Sequence, residues 1–371
     1  MNHTRRMRRG RDSNSGKLAP QIGTYKGMEM FTRLVFLAIL TTSLYACEKK
    51  GHDSVTDEDM AKAMERLSFV CTHEADHLPT VNDDAQVLYR YALFLQSREG
   101  VKNFTYIARY YRLAYAAGSY KAATNLHALI SEGLIESIDP ENEVIYIVES
   151  LIAREIPGGY YDMGHYLEIG YGVKQDTSRA NAYFRRAADL GNADAQYYVS
   201  NLLENIEDAK QVVLDMRRCA IDQGHAEAAY SYGIFQKARD IYPEAVQGFQ
   251  AGVRNGSSNS AGFLSGGFKT TEAKNRLYYF ALEADSERSV RYEKIEKFLS
   301  RYEHLGPKVP DIDQIVPLPP AKLPDWDGTF EWLKKRESTP PEKPSEDMIR
   351  ALSQEKSLDP ATGMLLAAVK K

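Results

Sequence analysis

The chain has 371 residues, 47 Lys and Arg against 51 Asp and Glu, three Cys and 43% hydrophobic residues. It is too long for a disulfide-stapled miniature and too apolar for a disordered tail, and its net charge of −4 gives no global sign of nucleic-acid binding. The charge is uneven: residues 1–46 carry +6 and residues 47–371 carry −10, an acidic body behind a basic leader.

Arg33 precedes seven apolar residues at 34–40, followed by small residues and Leu44-Tyr45-Ala46-Cys47. This run is far short of the roughly 20 residues that span a bilayer, and the order basic, apolar, small is that of a secretory signal. The end of the leader resembles the lipobox of bacterial lipoproteins, with Ala46 at the position that needs a small side chain and Cys47 as the lipidated residue. Residues 28–46 are therefore expected to be a lipoprotein signal peptide, and 1–27 a dubious or disordered extension, since Met28 or Met30 would start a leader of ordinary size. Glu48 after the cysteine points to a lipid anchor in the outer membrane, facing the periplasm.

Residues 47–84 read as a linker and helix. They contain His73-Glu74-Ala75-Asp76-His77, which fits the H-E-x-x-H pattern of zinc hydrolases, with His73 and His77 as candidate ligands. Asp76 in the gap, Pro79 just after it and the absence of any sheet pattern argue for a polar helix end instead, so no metal and no cofactor are expected. Cys71 and Cys219 remain once Cys47 is lipidated. In an oxidising compartment they form either a bridge pinning the N-terminal helix or two small buried thiols.

From residue 85 the chain repeats itself. Tyr110-Tyr111-Arg112-Leu113-Ala114-Tyr115-Ala116-Ala117-Gly118, Tyr183-Phe184-Arg185-Arg186-Ala187-Ala188-Asp189-Leu190-Gly191 and Met216-Arg217-Arg218-Cys219-Ala220-Ile221-Asp222-Gln223-Gly224 align, and weaker copies end at Gly159 and Gly256. The marker glycines are 41, 32, 33 and 32 residues apart. Each unit predicts helix, turn, helix, with Gly ending the first helix in the left-handed conformation. A single hairpin cannot bury its own apolar face, whereas stacked hairpins can, which predicts an all-α superhelical solenoid with a groove. Tyr110, Tyr111, Tyr160, Tyr161, Tyr197 and Tyr198 come in adjacent pairs. Neighbours on a helix diverge by about 100°, so one of each pair is expected to face away from the core and to be available to a partner.

After Gly256 the small residues at 257–268 predict a loop, with helices over 271–285 and 286–302. The six prolines between Gly306 and Gly328 predict an extended strap, whose apolar residues argue that it packs over the exposed end of the solenoid rather than serving a Pro-reading domain, with Trp326 also a candidate partner contact. The solenoid is assigned to 85–265 and a helical, Pro-rich capping domain to 266–371, closed by Trp332 and a helix at about 346–356.

Residues 161–176 (Tyr-Asp-Met-Gly-His-Tyr-Leu-Glu-Ile-Gly-Tyr-Gly-Val-Lys-Gln-Asp), with Ala180, Ala182-Tyr183 and Ala187-Ala188 before Gly191, resemble the Sel1-like repeat, a relative of TPR-like hairpins. Together with Cys71, Arg218-Cys219-Ala220 and the Val-Pro-Leu-Pro-Pro…Trp-Asp-Gly strap, the chain resembles Sel1-repeat lipoproteins that end in a domain of unknown function. Such proteins are similar to periplasmic immunity proteins of type VI secreted phospholipase effectors. The resemblance implies a non-catalytic protein that binds a phospholipase effector and meets the membrane only through its lipid. An envelope scaffold or regulator, and more remotely the zinc hydrolase, are the alternatives.

Overall fold

The computed structural model describes residues 67–337 and 340–366. The leader, its lipobox with Cys47 and the extension at 1–27 lie outside the described residues. From Phe69 on, the described residues form one compact unit.

The predicted all-α repeat architecture is what forms. An entry helix, α1 (Asp83–Ser97), is followed by five hairpins: α2 (Phe104–Ala116) with α3 (Tyr120–Ser131), α4 (Pro140–Ile152) with α5 (Pro157–Ile169), α6 (Thr177–Asp189) with α7 (Ala193–Leu203), α8 (Lys210–Asp222) with α9 (Ala226–Ala238), and α10 (Tyr242–Asn255) with α11 (Ser258–Lys269). Each hairpin buries its face against the next. In α6, Asp176 caps the first turn by accepting from the Arg179 backbone N–H (3.0 Å), and Ala180, Phe184, Ala187 and Ala188 form a fully buried stripe. The following turn needs Gly191 at φ +92°, after which Asn192 caps α7 through the Ala195 N–H (2.8 Å).

A packing device recurs between hairpins. A Cβ at Gly164 in α5 would lie 2.6 Å from the Phe184 ring of α6, and one at Gly233 in α9 would lie 2.8 Å from the Phe249 ring of α10. Both glycines leave a hole into which the next hairpin inserts a phenylalanine.

Three local predictions are corrected. Gly159 is not a turn residue but sits inside α5, where its missing Cβ admits Leu151 (2.6 Å). The left-handed residue of that turn is Glu155, at φ +54°. The small-residue stretch after Gly256 is helix α11, because Ser257 caps it through the Ser260 N–H (3.1 Å) and Ala261, Leu264 and Phe268 give it a buried face. Residues 271–285, predicted helical, instead form turns and extended chain that lay Tyr278 and Phe280 into the space above Gly266 and Gly267.

Helix α12 (Ser286–Arg301) packs on α11, and the Pro-rich strap crosses it through a short helix, α13 (Ile312–Ile315). Val309, Ile312, Ile315 and Val316 are buried there. Prolines cannot donate hydrogen bonds, so the strap is held by its carbonyls: Arg291 donates to Ile315 O and Pro324 O (both 2.7 Å), and Arg288 to Pro317 O (3.1 Å). The strap therefore does cover the last hairpins, but the tail does not end there. In α14 (Glu331–Glu337) the flanking Phe330 stacks on Phe298 (3.8 Å between centroids), while Arg336 donates to Ser97 O at the end of α1 (2.7 Å). Helix α15 (Glu346–Lys356) then buries Ile349 and Leu352 in the core of the first hairpins. Buried Arg109 of α2 fastens it, reaching Glu346 (3.0 Å) and Pro360 O (2.6 Å). The tail caps the last repeat and closes on the first.

Candidate functional site

The short turns of the hairpins share one edge of the array, and the N-terminal segment lies on it. The sulfurs of Cys71 and Cys219 are bonded, 148 residues apart in sequence. Between them and α1, the backbone of Thr72–Glu74 sits directly on the Gly191 turn, where a Cβ would lie 2.4 Å from the His73 carbonyl carbon. Side-chain amides hold it: Gln196 donates to Thr72 O (2.9 Å), Gln223 accepts from the Glu74 N–H (2.8 Å), and Asn192 donates to the Glu74 carboxylate (3.1 Å). Burial pushes the Glu74 carboxyl above its usual range, and the Asn192 hydrogen bond only partly offsets this. Asn192, Gln196 and Gln223 were invisible as a site in the sequence. The signal of Asn192 was that of a helix cap, which it also is.

This placement accounts for the H-E-x-x-H match. His73 precedes and His77 ends a single 3-10 turn (Glu74–His77), and the Glu74 carboxylate is bound by Asn192 rather than facing an open cleft. Cys71, His73 and Cys219 lie within metal-ligand distance of one another, but the two sulfurs are consumed by the bond between them. Another chemically suggestive group, buried His127 with Tyr166 (3.0 Å) and Asp162 (2.9 Å), links α3 to α5, and its polar atoms are satisfied by one another.

The paired tyrosines divide into two kinds. Tyr110 and Tyr111 are both fully buried, which corrects the expectation that one would face outward. α2 is packed on both sides: Tyr91 of α1 meets Tyr110 edge-on (4.8 Å), while Tyr111 accepts from Asn125 of α3 (2.9 Å). Neither can touch a partner. The others are half-buried and join successive hairpins. Tyr160 packs on Tyr183 (6.1 Å), and Tyr161 lies against His165 (4.6 Å) and Phe184 (5.8 Å). Tyr197 bonds Ser231 (2.9 Å) and Tyr198 donates to Glu168 (2.6 Å). Their phenols and rings are used mainly as fasteners between repeats.

Trp326 is half-exposed at the opposite end of the array. Its indole N–H donates to Thr329 O (2.9 Å), and its ring faces Arg291 (5.9 Å) and Lys294 (5.7 Å). Next to it, Phe298, Tyr302, Phe330 and Leu333 floor a shallow depression of about 550 Å³ rimmed by Lys297, Arg301 and Lys334. Both lysines of the rim are paired within the chain, Lys297 with Glu293 (2.8 Å) and Lys334 with Asp327 (3.8 Å), and these contacts could not be placed from sequence.

Among families, residues 260–366 match a domain of unknown function, DUF6396. A search of curated proteins returned no match. Among solved structures, the chain is similar to immunity protein Pa5087 from Pseudomonas aeruginosa at 30% identity, covering 68% of this chain and 95% of that one with a TM-score of 0.53. Immunity protein PA5088 from the same organism is 25% identical, with 68% and 94% covered and a TM-score of 0.56. Pseudomonas aeruginosa PA5086 is 27% identical, with 68% and 95% covered and a TM-score of 0.55.

Proposed function

The chain belongs to the family of helical-repeat immunity proteins represented by Pseudomonas aeruginosa Pa5087, and from that premise we propose that it is itself an immunity protein, which binds and occludes a toxic effector without catalysing a reaction. The observation that carries this reading is the 30% identity to Pa5087 along 95% of that protein's length. The physical form supports it: a repeat array closed by its own tail offers a large, stiff surface, and rigid surfaces bind with little ordering cost.

The finer reading is that the effector is a phospholipase delivered by type VI secretion and that the encounter takes place in the periplasm. The signal-like leader and the lipobox ending in Cys47 support this location, with the protein held at the outer membrane by its lipid. Occlusion of a lipid-cleaving site needs only tight steric contact, so no metal, cofactor or nucleophile is required of this chain.

The test is protection. Each secreted phospholipase of the bacterium that carries this chain is expressed in the periplasm, with and without the chain. Survival only with the full-length chain, lost when Cys47→Ala misplaces it, is the expected result. Equal killing with and without the chain, despite its confirmed export, refutes the reading.

A further inference from the structure

The two edges of the repeat array differ in what covers them. On the edge of the short turns the chain covers itself: Thr72–Glu74 lies on the Gly191 turn, and Pro307 lies over Gly256, where a Cβ would come within 2.3 Å of its carbonyl oxygen. The other edge carries the loops that join one hairpin to the next. Its two ends are covered as well, by the 271–285 segment, which accepts a hydrogen bond from Lys237 at Arg276 O, and by Arg336 on Ser97. Between these ends three consecutive loops, at 133–139, 170–176 and 204–209, have no distant segment laid over them among the described residues.

Each open loop carries or adjoins an exposed aliphatic side chain: Ile138 is 98% exposed, Ile169 49%, Leu202 50% and Ile206 45%. Single exposed aliphatics are ordinary, but one at each successive loop of the same uncovered edge is a row. Successive hairpins touch one another beside these loops. Gly172 lies against Glu141 O at the start of α4, and Tyr198 of α7 donates to Glu168 at the end of α5. The row is also acidic: residues 133–141, 170–176 and 204–210 hold seven carboxylates and two lysines, with Glu207 paired to Lys210 and Glu204 to Arg217.

We propose that this open loop edge, from α4 to α8, is the face that docks the protein partner, and that the partner meets it with a basic surface bearing apolar sockets. The proposal rests on the reading of the chain as an immunity protein and adds which face binds and what chemistry it requires. Charge selects the occupant. The carboxylates repel an anionic bilayer and a second copy of the same acidic edge, and attract a cationic protein face, which raises the association rate. The aliphatic tips, once desolvated in the complex, supply the lasting contact.

The probes are the purified secreted phospholipases of the bacterium that carries this chain, and the measurement is their binding to the full chain by biolayer interferometry. Two variants are compared with the wild type: Ile138→Ser, Ile169→Ser, Leu202→Ser and Ile206→Ser together, and Glu136→Lys with Asp208→Lys. All six side chains are at or near the surface of loops or helix ends, and circular dichroism checks that both variants stay folded. The expected result is at least about tenfold weaker binding for the first, and slower association with a flatter salt dependence for the second. Wild-type binding matched by the first variant overturns this inference and leaves the immunity reading standing. No binding by the wild type overturns the immunity reading and the inference with it. Binding of the wild type to phosphatidylglycerol vesicles, or its self-association in sedimentation, that is lost in the first variant assigns the edge to lipid or to a second copy and also overturns the proposal.

Discussion

Gly118 and Gly191 occupy equivalent turns with nearly the same backbone, φ +98° and +92°, yet their surroundings differ. A Cβ at Gly118 meets nothing within 4 Å, whereas at Gly191 it falls 2.4 Å from the His73 carbonyl carbon and 2.5 Å from the Glu74 nitrogen. Alanine at either site incurs left-handed strain of about 1–2 kcal/mol, partly offset by a stiffer unfolded chain. Only Gly191→Ala must also displace the N-terminal segment. Lifting Thr72–Glu74 breaks its hydrogen bonds to Gln196 (2.9 Å) and Gln223 (2.8 Å), and each is worth about 1 kcal/mol, more where the buried Gln196 amide is left unpaired. We expect a loss of about 1 kcal/mol for Gly118→Ala and about 3–4 kcal/mol for Gly191→Ala. Urea unfolding of the oxidised protein measures both, and hydrogen exchange in residues 69–78 reads the segment directly. Equal destabilisation, with unchanged exchange at 69–78, would refute the placement of this segment on the turn.

Replacing Cys71 and Cys219 together by Ser should lower stability by about 2–5 kcal/mol, because the bond closes a loop of 148 residues; a mass increase on reduction and alkylation checks the bond itself. Phe184→Ala should cost about 3–5 kcal/mol through the cavity left above Gly164, and Gly164→Ala about 1–3 kcal/mol through overpacking, both read from denaturant midpoints. Glu74 makes docking of the N-terminal segment pH-dependent. Its pKa is raised in the folded state, so the folded protein binds more protons than the unfolded chain. The docked segment is then most stable below the ordinary glutamate value of 4.5 and weakens as pH rises through the higher folded value. Exchange at 69–78, corrected for intrinsic rates, should slow on acidification in the wild type and lose that dependence in Glu74→Gln.

The legible parts of the fold were those written in local chemistry. Gly118, Gly191, Gly224 and Gly256 all adopt positive φ at hairpin turns, because a left-handed turn excludes most other residues. Where the same turn was built on Glu155, the glycine count slipped to Gly159 and misplaced a repeat. The 257–268 stretch reads as loop because of its small residues, but small residues also suit a helix pressed tightly against α12. Tyr110 and Tyr111 are both buried because α2 has two neighbours, whereas angular divergence exposes one of a pair only on a helix with a single buried face.

Sequence alone determined that the chain builds helical hairpins, where most of them turn, and that they must stack, since periodic apolar faces and left-handed glycines are properties of neighbouring residues. It also offered Cys71 and Cys219 as partners without deciding between a bond and two thiols. Only the tertiary structure decided that the N-terminal segment lies on one edge and that the tail returns to the first hairpin through Arg109. Those outcomes depend on contacts between residues more than a hundred positions apart, and no short-range pattern records which distant surface a segment will find.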